Sequence, residues 1–537
     1  MKLQLLQKLI LSGIFVLYAM AAMAQDATQT VKGKVTNANT GEPLDSVLVR
    51  FEGVKKGVLT SADGTFQIVK KGDTNVLVFS LDSFDEKRLE ITDFNQEVNI
   101  SLSSDIRFNQ YGQIVERKEL TSEARNGFIT WESKDKKYRL WMDNRIYLDG
   151  AHYFDNYDYN KTPDENALEG RVDVPDQLLK LRRMRFAIKA IVGDGWYGEI
   201  DFDFDGNEVD IKDAYIRKIL GNWGQIRVGQ FRMPQGMEQN TTSRYLKFIE
   251  RASVAEFNPN RRLGIGYSMW GKSYELGIAL HTEEVRHVLD FTNNDPDPNY
   301  FKGEIPGAKP MLGVSTRGAY YFVNETGRLL MLGAGYSGRT PGLYKYPDNR
   351  IKYDPKDETN VSELEWTVAK VNDVKWANNF NVEAAATYGP LRVSGEYYYN
   401  VLKRNEQLDP VKYGGFYVET AFLLTGESHA WNYKEAEFTQ IRSKGKAGAL
   451  EATARYSYIN LNDYDTNQTF GAKDQYTVGL NYYATGNIKF MLNYSYVNHD
   501  RYSNGAGDYA QYIDIYAPAG EGGFDYGFIA WRCEIDF

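Results

Sequence analysis

Two neighbouring runs carry charges at a spacing that could do chemistry. In "KLRRMRFAIKA", residues 180–190, Arg183, Arg185 and Lys189 fall on alternate positions. In "WYGEIDFDFDG", residues 196–206, Glu199, Asp201, Asp203 and Asp205 do the same. Asp201, Asp203, Asp205 and Gly206 open like an EF-hand calcium loop. Such a loop needs a bidentate acid at its twelfth position and helices on both flanks. Counting from Asp201, the twelfth residue is Lys212, and the flanks read as strands. The calcium reading therefore fails, and no metal site is expected. A basic row can instead attract anions, Arg through a planar donor fork and Lys as a compact charge. Passage then requires sites that are weak and multiple. A structural alternative stands beside this one: the basic row pairs with the acidic row across two strands.

Alternation decides which faces these rows occupy. On a strand, Arg183, Arg185 and Lys189 share a side with Ala187, while Met184, Phe186 and Ile188 share the other. Likewise Trp196, Ile200, Phe202 and Phe204 oppose Glu199, Asp201, Asp203 and Asp205. If the apolar sides meet lipid, the charged sides must meet a lumen, because a cation at the bilayer midplane costs roughly 2–4 kcal/mol. Arg182 falls on the apolar parity, so it is expected at a rim or a local irregularity.

The bulk composition narrows the classes. A net charge of −9 gives the chain no overall footprint for nucleic acid. The lone Cys533 allows no intrachain disulfide and no cysteine zinc site. No GxSxG, CxxC, P-loop or HExxH pattern occurs, so no enzyme and no cofactor is expected. Residues 1–24 read as a signal peptide, with Lys2 and Lys8, an apolar Leu9 to Leu17 and a small-x-small site at Ala22-Met23-Ala24. No later apolar run is long enough for a membrane helix.

From residue 137 to 537 the chain reads as about sixteen alternating strands, the even count of a bacterial barrel. They are expected near 138–150, 179–192, 196–205, 209–220, 224–232, 261–270, 273–282 and 310–323. The series continues near 328–337, 377–388, 391–402, 413–424, 448–459, 474–484, 488–498 and 524–537. Tight turns such as 193–195, 221–223 and 485–487 alternate with long loops such as 151–178, 233–260 and 338–376. That is the asymmetry of short periplasmic turns and longer external loops. Two connections break it: 206–208 is short for an external loop, and 425–447 is long for a periplasmic one. In the last strand Ile529, Trp531, Cys533, Ile535 and Phe537 form a lipid face, and Phe528, Ala530, Arg532, Glu534 and Asp536 a lumen face. A terminal Phe537 after such a strand resembles the C-terminal signal of outer-membrane barrels.

Residues 25–104 form a smaller unit of short strands, "VKGKVTN", "SVLVRFEG", "GTFQIV" and "NVLVFSL". Gly33, Val35, Gly41, Pro43, Leu44, Val47, Val49, Thr60, Asp63, Gly64 and Phe66 carry a resemblance to the carboxypeptidase regulatory-like domain, a transthyretin-like β-sandwich. Asp63-Gly64 suits a hairpin turn. Residues 105–136 read as a linker or lumen-entering segment. The fold expected is all-β: a periplasmic β-sandwich followed by a 16-stranded antiparallel transmembrane barrel.

With these residues in place, 126–537 resembles the phosphate-selective porin O/P family. The blocks "LKLRRMRFAIKA", "WYGEIDFDFDG", "VDIKDAYIRK", "IRVGQFRMPQG", "YLKFIERA", "NRRLGIGY" and "GGFYVETAFLLTGES" carry it, in order. The resemblance implies an outer-membrane porin, a homotrimer in lipid, passing small anions such as phosphate through a constricted pore. It also implies that the loop 233–260 folds inward. Arg244, Lys247 and Arg251 in that loop, and Arg261 and Arg262 after it, would then join Arg183, Arg185 and Lys189 as pore-lining cations. A solvated surface loop is the alternative. Two other functions remain: a scaffold subunit that docks a periplasmic or outer-membrane protein through residues 28–103, and a TonB-dependent receptor. The receptor needs 22 strands and a plug, more than about four hundred residues supply.

Overall fold

A computed structural model describes residues 29–38, 40–104, 107–108, 111, 113–115, 120–125, 128–154, 177–205, 209–285, 311–342, 349–361, 366–503 and 523–537. The expected signal peptide, the short loop 206–208 and most of the loops 151–178, 283–309 and 499–523 lie outside them. The chain divides into two units, at Glu119 and Leu120.

The first unit is a sandwich of two small sheets. Thr30–Asn37 pairs antiparallel with Thr65–Val69 and parallel with Val98–Leu102. Leu48–Phe51 pairs with Val58–Leu59 and Val76–Ser80, and Lys87–Glu90 adds to the last of these. The inward positions of both sheets, among them Val35, Val49, Phe66, Phe79 and Leu102, form one core. Gly64 has the positive φ expected of it, +80°, and a Cβ there would meet the Val35 carbonyl at 2.4 Å. The turn is not a hairpin, however. Its flanking strands belong to different sheets, so Asp63-Gly64 makes a corner between the layers. Hydrogen bonds from Thr65, and then from Ser61, hold the exposed Asp63 carboxyl at about 2.

The second unit is a closed ring of sixteen antiparallel strands. The first eight are β1 (Tyr138–Phe154), β2 (Gln177–Val192), β3 (Trp196–Asp203), β4 (Asp210–Ile219), β5 (Gln225–Arg232), β6 (Arg261–Trp270), β7 (Tyr274–His281) and β8 (Gly313–Glu325). Then come β9 (Arg328–Arg339), β10 (Val374–Tyr388), β11 (Leu391–Arg404), β12 (Val411–Leu423), β13 (Ala449–Asp463), β14 (Gln468–Tyr483), β15 (Ile488–His499) and β16 (Phe524–Asp536). Pairing of β1 with β16, from Arg145 opposite Asp536 to Phe154 opposite Gly527, closes the ring. Closure removes free edges, which hydrocarbon does not tolerate.

Each expected strand has its counterpart. The largest differences are at strand ends on the long-loop side, where β1, β13 and β14 run past the expected limits. Alternation is a signal of the lipid zone, and strands that continue beyond it lose that signal. Inside the zone the two faces separate as expected. Met184, Ile188, Ile200, Leu276, Ile278, Val382, Tyr397, Val478, Leu480 and Trp531 are exposed on the outer face. Arg183, Arg185, Asp201, Asp203, Glu383, Arg392, Glu419, Arg455, Arg532 and Glu534 are buried inside.

One element was not expected. Leu120–Arg125 and Phe128–Ser133 form a hairpin whose second strand pairs with the start of β1, Thr130 opposite Trp141. It continues the sheet beside β1 beyond the point where β16 ends.

Candidate ion pathway

The β2–β3 wall has the register that the two charged rows required. Arg185 lies opposite Asp203, Ala187 opposite Asp201 and Lys189 opposite Glu199. Arg185 Nε donates to Asp203 at 2.8 Å, and Lys189 Nζ lies 3.2 Å from Glu199 and 2.6 Å from Asp143 of β1. The cross-strand alternative thus accounts for Arg185 and Lys189. Asp201 and Asp203 sit within the strand β3, as the rejection of the EF-hand requires. Oxygens of Glu199, Asp201 and Asp213 do converge within 4.8 Å. Lys189 lies 3.2 Å from Glu199, Arg261 2.7 Å from Asp213 and Arg185 3.9 Å from Asp201.

Arg183 departs from its row. The β1–β2 ladder slips between Tyr147 and Leu148, opposite Arg183 and Leu181. A bulge re-aims side chains, and here it turns both Arg182 and Arg183 inward. Arg182 meets Asp205 at 3.5 Å and Glu250 at 2.7 Å. Arg183 was expected, with its row, to lie opposite the acidic row of β3. Instead, among the described residues, its nearest carboxylate is Glu250, at 3.9 Å, and its buried Nε and one terminal nitrogen have no hydrogen-bond partner.

The loop 233–260 lies inside the barrel. Its short helical turn Met237–Asn240 is capped by a wall carboxylate: Glu396 of β11 accepts from the N–H groups of Met237 and Glu238, at 3.0 and 2.7 Å. Arg455 of β13 reaches Glu238 at 3.0 Å. Lys247 reaches Glu451 of β13 at 2.8 Å, and Arg244 reaches Asp143 of β1. Glu250 meets Arg532 of β16 at 3.0 Å. Contacts to strands on opposite sides of the ring mean that the loop crosses the lumen.

The third-loop cations divide between two levels. Arg251 faces a large cavity together with Arg183, Arg185, Arg261 and Arg262. Arg244 and Lys247 line a much smaller space beside the turn 485–487. Arg261 is paired with Asp213, and Arg262 lies 3.5 Å from Glu284. Arg251 donates to the backbone carbonyls of Glu238 and Thr241. Arg232, which the sequence reading passed over, donates at 2.9 Å to the carbonyls of Asn240 and Thr241. Neither Arg232 nor Arg251 is paired with a carboxylate among the described residues. A carbonyl holds a guanidinium in place without neutralising it.

Two more segments enter the lumen. The long connection 425–447 carries a small hairpin, Trp431–Asn432 against Glu437–Phe438. Glu435 lies 3.4 Å from both Arg217 and Arg227, Arg317 donates to the Ala436 carbonyl at 3.0 Å, and Arg392 stacks 3.6 Å above Phe438. Glu437 accepts from the N–H of Thr242 at 2.8 Å, which joins this hairpin to the third loop. From the other end, Asp357 and Glu358 of the β9–β10 connection meet Lys473 and Arg455. The excess length of 425–447 was the signal in the sequence. The inward course of 349–361 left none.

The large cavity measures about 610 Å³. Among the described residues lining it, twelve are Arg or Lys and six are Asp or Glu. A chain of net charge −9 thus concentrates an excess of cations around one cavity.

Residues 156–514 match the profile of a family described as phosphate-selective porin O and P. Residues 31–111 match that of the CarboxypepD_reg-like domain. Porin O of Pseudomonas aeruginosa is 20% identical over 410 residues, 71% of this chain and 88% of its own length. An uncharacterized protein of Caulobacter vibrioides is 24% identical over 345 residues, 62% of this chain and 66%, just under two thirds, of its own length. Among solved structures, the anion-selective porin from Comamonas acidovorans aligns at 13% identity with a TM-score of 0.43, covering 74% of this chain and 100% of that one. The trimer form of OmpT from Vibrio cholerae aligns at 11% identity with a TM-score of 0.45, covering 74% and 99%.

Proposed function

The chain belongs to the phosphate-selective porin O and P family, and on that premise we propose that it is a passive, anion-preferring diffusion porin. It is an outer-membrane porin, not an enzyme. The cavity supports the finer reading: its lining cations outnumber carboxylates by two to one, and Arg183, Arg232 and Arg251 are not locked in close ion pairs. A basic, low-dielectric vestibule raises the local concentration of anions. Phosphate or another small anion would move from this vestibule past the third loop to Arg244 and Lys247, and out by the short-turn end. No energy source is needed. The barrel would sit in lipid as a homotrimer, with the β-sandwich in the periplasm. Reversal potentials in planar bilayers under a KCl gradient test this. A cation preference, or no open channel, defeats it.

A second reading, a scaffold subunit of an outer-membrane complex, has one observation in its favour. Leu120–Arg125 is bonded to one neighbouring strand only among the described residues, leaving an edge that a partner strand can extend. Pulldowns with the full chain, and with chains lacking residues 28–103 or 120–133, decide it. Identical partners in all three remove the scaffold reading.

A further inference from the structure

We infer that the outer face of β10, β11 and β12 holds a phosphate-bearing lipid headgroup of the outer leaflet, gripped by Lys375, Lys403 and Lys412. The site lies on the lipid side of the wall and does not depend on what passes through the lumen.

The three lysines end an uncharged pattern at one level. On β11 the outward row from Leu391 through Tyr397 and Tyr399 to Val401 carries no charge, and the next outward position is Lys403. On β12 the row from Phe422 through Val418 and Phe416 to Gly414 carries none, and the next is Lys412. On β10 the row from Tyr388 through Val382 and Phe380 ends at Trp376, beside Lys375, the extra residue of a bulge. An apolar belt about 25 Å tall, on strands tilted by about 40°, takes roughly ten residues. Each row is of about that length. The lysines therefore stand where hydrocarbon gives way to headgroups, at the long-loop end. That end faces the outside, because the short turns are periplasmic.

Register brings the lysines together. Lys403 is paired with Trp376, the neighbour of Lys375, and Lys412 is paired with Val401, which makes it diagonal to Lys403. Diagonal neighbours lie roughly 7–8 Å apart, so two ammonium groups can close on one phosphate. All three lysines are exposed, and none is ion-paired among the described residues. Asp373, Glu406 and Asp409 sit in the turns beyond the strand ends. Asp373 is engaged there by Asn405, and the Asp409 carbonyl by Arg404. The basic arc is local. On the outer faces of β14 and β16, near the same end, stand Asp474 and Asp525, which accept from Tyr456 and Tyr496. A lysine that merely snorkels to water needs no companions. Three unpaired cations at one level repel one another, and an anion between them turns that repulsion into attraction. The anion found at this depth is a lipid headgroup phosphate.

The experiment uses full-length protein in a neutral detergent. The probe is bisphosphorylated lipid A, the control is the same lipid stripped of phosphate, and native mass spectrometry counts the lipid bound. The unsubstituted protein should keep the phosphorylated lipid and release the other. In the triple variant Lys375→Gln, Lys403→Gln, Lys412→Gln, binding should weaken about a hundredfold, each lysine near an anionic headgroup being worth about fivefold. Equal binding of the two lipids by the unsubstituted protein overturns the inference, and so does unchanged binding by the folded variant. Displacement of the lipid by excess inorganic phosphate also overturns it, since the occupant would then be a free anion. A loss of oligomer in the variant, with lipid absent, assigns the arc to a second copy of the chain and overturns it as well. Heat-modifiable migration on gels reports the folded barrel. If the triple variant does not fold, Lys403→Gln and Lys412→Gln are titrated singly. About fivefold weaker binding is expected of each, and no change in either overturns the inference.

Discussion

Arg185 and Asp203 face each other across β2 and β3, and Arg185 Nε donates to the Asp203 carboxylate at 2.8 Å with both side chains buried. As a unit the pair is neutral. Arg183, two residues earlier on the same face, has no carboxylate closer than 3.9 Å among the described residues. One basic row therefore contains residues that build the wall and a residue that, on the proposed reading, charges the lumen.

Arg183→Gln and Arg232→Gln should each lower the preference for chloride over potassium. A unit charge about 6 Å from a passing ion in a water-like dielectric is worth roughly 0.7 kcal/mol, or about threefold. Reversal potentials under a salt gradient measure this. No shift in either variant would remove these arginines from the pathway.

Arg185→Ala should act on stability. It leaves Asp203 buried and unpaired, at a cost of about 3–5 kcal/mol. The double variant with Asp203→Asn should recover most of the loss. Urea unfolding of the barrel, followed by gel migration, reports both. Equal loss in single and double variants contradicts the pairing.

Replacing residues 431–438 by a short Gly-Ser turn should raise single-channel conductance. The hairpin occupies the short-turn half of the lumen through Glu435, Ala436 and Phe438. An unchanged conductance in a folded barrel means that ions take a path the hairpin does not touch.

Gly229→Ala should reduce the yield of folded barrel. Gly229 sits in β5 at φ +128°, and a Cβ would lie 2.2 Å from the Ala214 carbonyl. Strain of this kind costs about 1–3 kcal/mol. Heat-modifiable gel bands quantify it, and an unaltered folded fraction counts against the strained backbone.

Cys533 lies on the outer face of β16, between Trp531 and Ile535. In liposomes it should resist a charged, membrane-impermeant maleimide and react with a lipid-soluble one. Labelling by the charged reagent would place it in water.

Much of the barrel was legible because its signal is local. Arg183, Met184, Arg185 and Phe186 announce two faces without reference to any other strand. The separation of β2 from β3 by the tight turn 193–195 also made the pairing of Arg185 and Lys189 with acids foreseeable. Arg182 was legible as an exception, since it breaks the alternation. The direction of its side chain was not, because that depends on a slipped register with β1. Arg232 went unnoticed for a related reason. Its importance comes from what it meets, two carbonyls of a loop that folds back across it.

Period-two alternation, turn residues and strand count are properties of the chain by itself, and they determined the all-β class, the sixteen strands and the face taken by charges on regularly paired strands such as Arg185 and Lys189. They follow from sterics and from the exclusion of charge from lipid, which act on each strand separately. Which cations stay unneutralised was decided only by the tertiary structure. Glu250 meets Arg182 and Arg532 across 68 and 282 residues of chain, and Glu437 meets Thr242 across 195. Neutralisation falls off within ångströms of space and is blind to distance along the sequence, so only the folded loops could fix the charge of the lumen.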